Sequence, residues 1–315
     1  MKFTIGLPVI KSEFLAETLT SITLQTFADY EVIIQSNVNE PEVKEEIRAI
    51  CSPFLSDKRF SFYENETQLK IFDNFNSLLK KSSGEYMTIL SDDDLITPDF
   101  LEKFNQLISE YPSINLYHCK VEQINELGET TAFTSPCDVF ESLPEFMYNR
   151  LFNQRKQYLS DFVFKKDALI EMGGFPSFPG EGWGLDDLSW YIIGGKGVAY
   201  MKDACLKYRV NRCNFTNFKK INHTSRMDDV KFIYVNIFQI TAQESFTANS
   251  ILPIESMLSI IKDARIRSYL IVFNSYCKNH SLVQIIVFFM KNNKSHILLT
   301  KNLIKNIFKK IFFVS

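Results

Sequence analysis

Three aspartates in a row, Asp92-Asp93-Asp94, follow the apolar run Tyr86-Met-Thr-Ile-Leu90 after the single residue Ser91. Adjacent carboxylates repel, and a fold keeps three of them close only where something offsets their charge. A divalent cation is the natural offset. An all-oxygen ligand set favours Mg2+ or Mn2+ over zinc, with water and substrate phosphates completing the shell, which suits a nucleoside diphosphate. The same residues also read as a solvated turn whose acids favour the start of the next helix. A second acidic pair, Asp186-Asp187, opens a helical pattern at Leu185 after the glycine-rich stretch 180–184. Trp183 stands between Gly182 and Gly184, either as an exposed aromatic face or as a core residue beneath a loop.

The elements that must carry these acids follow from period and punctuation. Phe3 to Leu7 is a β-rich run ended by Pro8, Ser12 is placed to cap a helix bearing Leu15, Leu19 and Ile22, and Glu31 to Gln35 is a buried-type strand. A helical pattern (Val43, Ile47, Ile50) leads to the run Phe60-Ser-Phe-Tyr63, and another (Leu69, Phe72, Phe75, Leu79) stops at Ser82-Ser83-Gly84 before the strand at Tyr86. Thr97-Pro98-Asp99 predicts a helix start with Thr97 as cap and Pro98 in the first turn. Strands separated by helices predict an α/β chain with a mostly parallel sheet, whose ligands sit at the carboxyl ends of strands. Residues 125–142 read as loop, 167–172 as a short helix, and the chain beyond about Asn222 as helical.

Composition narrows the class. The chain has 315 residues, enough for about two domains. With 45% hydrophobic and 23% charged residues it is globular and neither disordered nor collagen-like. The cysteines contain no CxxC pair, which argues against a zinc ribbon and a dense disulfide framework and for a reducing compartment. Gly6 and Pro8 break the first apolar run before signal-peptide length, and the run Leu282 to Met290 is too short to span a bilayer. No internal repeat is present.

Taken in order, several segments resemble the inverting family-two glycosyltransferases of the GT-A fold. They are Phe3-Thr-Ile-Gly-Leu-Pro8, Leu19-Thr-Ser-Ile-Thr-Leu-Gln25-Thr26-Phe27, Tyr30 to Ile34, Asn74-Phe-Asn76 and Gly84-Glu85-Tyr86 running into Leu90-Ser91-Asp92-Asp93-Asp94. Gly173-Gly174-Phe175, Leu185-Asp186-Asp187 and Tyr208-Arg209 complete the set, so that the resemblance covers about residues 1–218. It implies a GT-A, Rossmann-like sheet flanked by helices over 1–221, with a C-terminal helical region over 222–315. It implies a nucleotide-sugar donor, most simply a UDP-sugar, contacted by Pro8, Ser36, Asn37, Asp92 and Asp93. Asp94 and Asp92 are then the ligands of Mn2+ or Mg2+, Asp187 the general base, Asp186 its neighbour in orienting base or acceptor, and Trp183 an acceptor contact. Two departures stand out. The acidic residue expected after the second strand falls at Ser36 or Asn37, and the late metal-ligating histidine lines up with Asn211, leaving His223 downstream as a substitute.

The formal charge of -2 hides an asymmetry: residues 264–315 carry nine basic and no acidic side chains. Leu303, Ile304, Ile307, Phe308, Ile311 and Phe312 recur at helical spacing beside Lys301, Lys305, Lys309 and Lys310, the composition of an interfacial helix. The alternative is a terminal helix docked on the main domain. The expectation is a metal-dependent transferase on the inner face of the plasma membrane, acting on a glycan or glycolipid acceptor in surface polysaccharide synthesis, with oligomers allowed. Nucleic acid is not expected, because the acidic main body repels phosphate backbones. A non-catalytic glycan- or lipid-binding module remains an alternative. So does a nucleotidyltransferase, although the turn Leu7 to Ser12 lacks the glycines of a phosphate loop.

Overall fold

The computed structural model describes residues 1–152, 154–211, 222–242 and 254–279, together with Gln284. The predicted amphipathic tail at 301–313 and the boundary near 221 lie outside them.

Strands β1 (Phe3–Val9), β2 (Tyr30–Ser36), β3 (Phe60–Glu64) and β4 (Tyr86–Ile89) form the parallel half of one sheet in the order β3-β2-β1-β4. Helices α1 (Leu15–Thr23), α2 (Pro41–Cys51) and α3 (Ile71–Lys81) make the crossovers. The second half departs from the expected parallel pattern. Two-residue β5 (Leu95–Ile96) leads to α4 (Phe100–Glu110), β6 (Leu116–Ile124), β7 (Thr130–Phe133), β8 (Phe140–Glu141), α5 (Leu143–Leu151), β9 (Phe162–Lys165), α6 (Lys166–Glu171), α7 (Leu185–Ile193) and β10 (Val198–Arg209). Its order continues β4-β9-β6-β10-β5, with β9 antiparallel to both neighbours and β5 antiparallel to β10, so the whole is a mixed sheet. The stretch read as loop at 125–142 contains β7, which pairs with β6, and β8, which pairs with β10. Helices α8 (His223–Thr241) and α9 (Ile254–Asn279) pack together at the C-terminal end.

Several local readings shift. The first strand runs through Pro8 because its pairing with β4 ends at Gly6, so on that side no ladder bond needs the missing N–H. Helix α4 starts at Phe100, with Asp99 rather than Thr97 at the N-cap, since the Thr97 N–H still bonds the Cys205 carbonyl of the sheet. Helix α1 likewise begins at Leu15, three residues after Ser12, with Phe14 at the N-cap.

Alternate strand residues feed opposite faces. Phe3, Ile5, Leu7 and Val9 join α1, α2 and α4 in one core. Met87, Ile89, Phe162 and Phe164 join α3, α5 and α7 in a second core, which continues without a break into α8 and α9. Gly84 lies against β1: a Cβ there would stand 2.6 Å from backbone atoms of Phe3 and Thr4.

Candidate active site

The aspartate triplet leaves the carboxyl end of β4, in the middle of the sheet, and all three side chains are buried. Asp92 Oδ2 accepts the backbone N–H groups of Ile10 (2.8 Å) and Lys11 (3.0 Å) from the turn after β1. Asp93 Oδ2 accepts from the Lys11 ammonium (2.5 Å) and the Asn211 amide (2.8 Å). Asp94 is the most deeply set. Its Oδ1 accepts the backbone N–H of Arg209 (3.0 Å) and its Oδ2 the Ser160 hydroxyl (2.7 Å). Both oxygens of Asp94 therefore have protein partners, whereas Asp92 Oδ1 and Asp93 Oδ1 have no hydrogen-bond partner among the described residues.

Burial pushes the Asp92 carboxyl up to about 7 and that of Asp94 up to about 8, the neighbouring Asp93 charge adding to both. Carboxyls held this far above their ordinary range gain most from a cation. The open oxygens are hard donors of the kind Mg2+ and Mn2+ take, so the cluster would fit such an ion; of the two ligands expected from the resemblance, Asp92 keeps an open oxygen, whereas both oxygens of Asp94 accept hydrogen bonds from the protein.

The second acidic pair begins α7. Asp187 accepts from Arg150 Nε at 2.9 and 3.1 Å and from the Gln157 amide at 2.8 Å, and its side chain is 17% exposed. Burial and the Asp187 charge push Asp186 up to about 6. Asp187 is thus the member of the pair whose direction is fixed by partners, and both acids are only partly buried.

One short segment of chain reaches both acidic groups. Gln157 holds Asp187 and Ser160 holds Asp94, and three residues of chain reach at most about 10 Å. Between them Tyr158 stacks on Tyr208 with ring centroids 3.7 Å apart, and burial, Asp161 and Asp94 raise its phenol while Arg150 opposes them. Arg209 closes the far side, its guanidinium donating to the Asp93 carbonyl (3.1 Å), the Glu126 carbonyl (3.0 Å) and Glu17 (2.7 Å).

Neutral groups fill the region where an acid was expected after β2. Asn37 Oδ1 accepts from the Asn65 amide and the Leu69 N–H, each at 2.8 Å, while Gln35 and Asn65 both donate to Asn74 Oδ1 (2.7 and 2.9 Å). The Ser36 hydroxyl is buried without a partner among the described residues. Trp183 is half-buried on the rim of the second core, with Arg226 over its ring. Pro8 stays in β1, opposite Gln35. His223 opens α8 with Nε2 3.0 Å from Ser275 Oγ and its ring against Tyr276, both on α9.

Sequence reasoning missed the residues that hold these acids. Lys11, Ser160, Gln157 and Arg150 carry no local signal. Asp229 on α8 is a further one: fully buried, it accepts the backbone N–H groups of Gly180, Glu181, Gly182 and Trp183 at 2.8 to 3.0 Å, tying down the loop that leads into α7. A separate His118, Cys137 and Glu141 cluster is filled by the Arg155 guanidinium, which pairs with Glu141 and donates to Cys137 Sγ at 3.3 Å.

Comparison with known proteins gives this geometry a context. Residues 5–171 match the model of the family described as Glycosyl transferase family 2. An uncharacterized glycosyltransferase of Haemophilus influenzae is 29% identical over 162 residues, which is 50% of this chain and 50% of that protein. One from Methanocaldococcus jannaschii is 31% identical over 117 residues, 37% of this chain and 39% of its own length. The matched region thus spans half or less of these relatives. Among solved structures, S. aureus TarS 1-349 in complex with UDP-GlcNAc superposes with TM-score 0.65 at 15% identity, covering 90% of this chain and 77% of that one. The mannosyltransferase PcManGT from Pyrobaculum calidifontis, in complex with GDP-Man and Mn2+, gives TM-score 0.54 at 16% identity over 100% of this chain and 88% of its own. At such identities the likeness is one of fold, and that fold is GT-A.

Proposed function

The chain belongs to glycosyl transferase family 2, and on that premise we propose that it moves a sugar from a nucleoside-diphosphate sugar to an acceptor hydroxyl with inversion at the anomeric carbon. The observation that carries this reading is the shared segment: the Asp92–Asp94 cluster and Asp187 are joined by the four residues Gln157 to Ser160. An electrophile held by its diphosphate at one acid group and a hydroxyl held at the other meet across that span. Asp92 and Asp93 would hold a divalent ion, which offsets charge on the departing nucleoside diphosphate. Asp94 is a positioning residue, locking the triplet to β10 through the Arg209 N–H.

Asp187 takes the proton of the incoming hydroxyl. Arg150 and Gln157 fix the direction of its carboxylate, leaving its exposed edge to the acceptor. Trp183, on the loop just before, offers its ring to the acceptor sugar. The nucleobase is read by neutral hydrogen-bonding groups around Ser36 and Asn37. The acceptor is a glycan carried on lipid, a reading supported by the nine positive charges of residues 264–315, which would bring the protein to an anionic membrane face. No helix among the described residues is long and apolar enough to cross a membrane.

A panel of UDP- and GDP-sugars with Mn2+ or Mg2+, followed by nucleoside diphosphate release, tests the reading. Release that drops at least a hundredfold in both Asp93→Asn and Asp187→Asn is expected. Full release in Asp187→Asn with an acceptor present would remove that residue from the chemistry.

A further inference from the structure

Lys11 lies in the turn after β1, whose backbone already serves Asp92. Its ammonium stands 2.5 Å from Asp93 Oδ2 and 3.9 Å from Asp92 Oδ1, and its side chain is 20% exposed. The Asn211 amide adds a second donor to Asp93 Oδ2, at the position that the resemblance read from the sequence gives to a metal-ligating histidine. The two carboxylates best disposed to hold an ion therefore already face a positive charge supplied by the chain itself. A fixed ammonium and a divalent ion at the same pair repel each other, and the repulsion is strong where water is largely excluded.

We propose that Lys11 is the resident counter-cation of the Asp92–Asp93 pair, and that it yields these carboxylates to a divalent ion only as the donor's diphosphate arrives to accept the ammonium on its own oxygens. The inference rests on the donor-site reading above. It makes the lysine a donor-binding residue and makes metal and diphosphate binding interdependent. The metal alone meets a like-charged tenant, whereas the diphosphate draws that tenant away. Because such coupling is reciprocal, the ion must strengthen diphosphate binding by the same factor as the diphosphate strengthens ion binding. The lysine is long and only partly covered, so its head can swing by rotation about its own side-chain bonds while the turn stays in place.

The test is a Mn2+ titration read by the electron paramagnetic resonance of the free ion, with and without UDP, on the full chain, Lys11→Met and Lys11→Arg. Lys11→Met is expected to bind Mn2+ alone at least tenfold more tightly than wild type, and the tightening produced by UDP is expected to shrink by a similar factor. Lys11→Arg, which keeps the charge, is expected to follow wild type. In EDTA, UDP is expected to bind wild type at least tenfold more tightly than Lys11→Met. Equal Mn2+ affinity in wild type and Lys11→Met would overturn the proposal, as would a failure of Mn2+ to bind either protein. If UDP binds none of the three proteins, the donor-site reading falls, and the Mn2+ comparison still decides the role of the lysine.

Discussion

Replacing Asp94 by Asn is expected to stabilise the metal-free protein, and the gain is expected to grow with pH. Burial and the Asp93 charge hold the Asp94 carboxyl at about 8 in the folded chain, against an ordinary value of 3.8. A carboxyl raised on folding contributes fully below its unfolded value, and that contribution is lost as pH rises through the folded value. Between these limits the folded state keeps a proton that the unfolded state has released, and each pH unit costs about 1.4 kcal/mol. From pH 5 to pH 7 the penalty on wild type is on the order of 2–3 kcal/mol, and Asn does not incur it. The amide also fits the site: Oδ1 accepts the Arg209 N–H, Nδ2 donates to Ser160 Oγ, and the Ser160 hydroxyl turns to Ser91 Oγ, 3.2 Å away. Urea denaturation in EDTA at pH 5, 6, 7 and 8 measures the difference. A stability gap that stays constant over that range, or one that favours wild type at pH 7, would refute the reasoning.

Two further perturbations address the scaffold. Asp229→Ala leaves four backbone N–H groups at 180–183 without their acceptor; at about 1 kcal/mol or more each this loosens the loop before α7, and amide exchange there is expected to accelerate at least a hundredfold with a fall in kcat. Unchanged exchange at those amides would show that the loop is held by other contacts. Gly84→Ala forces a Cβ to within 2.6 Å of the β1 backbone and is expected to cost about 1–3 kcal/mol in urea denaturation, whereas a wild-type midpoint would mean that β1 and the turn can separate freely.

What could be read from the sequence follows the range of the interactions involved. Strands β1, β2 and β4 show as apolar runs because they are central and covered on both faces, and α3 shows through Phe72, Phe75 and Leu79. Strand β10 hides because its register against β6 slips between Met201 and Ala204, placing Lys202 and Asp203 in the middle of an otherwise buried strand and breaking the period of two. Strand β9 is four residues long and inserts antiparallel between β4 and β6, which makes the sheet, predicted as mostly parallel, a mixed one. The acids of the site were visible by type and spacing. Their holders were not, since Ser160 and Arg209 reach Asp94 across 66 and 115 residues of chain. No local period encodes a contact of that length.

The motif pieces Asn74-Phe-Asn76 and Gly173-Gly174-Phe175 show why fragments that say little alone gain force together. The two asparagines are two positions apart on α3, about 200° around the helix, so they serve opposite directions. Asn74 Oδ1 takes the amides of Gln35 and Asn65 beside the end of β2, the proposed nucleotide side. Asn76 takes the N–H of Phe175 and donates to its carbonyl, both at 2.8 Å. A side chain at Gly174 would run into Asn76 Oδ1, and its φ of +84° suits glycine, so the glycine and the asparagine 98 positions earlier are one device. That device seats Phe175 edge-on against Phe75 and under Trp190, and Trp190 belongs to α7, the helix whose first turn carries Asp187. The amides on the proposed donor side and the proposed base are therefore set from the same helix, α3, so a shift of α3 would move both ends of the proposed reaction path together.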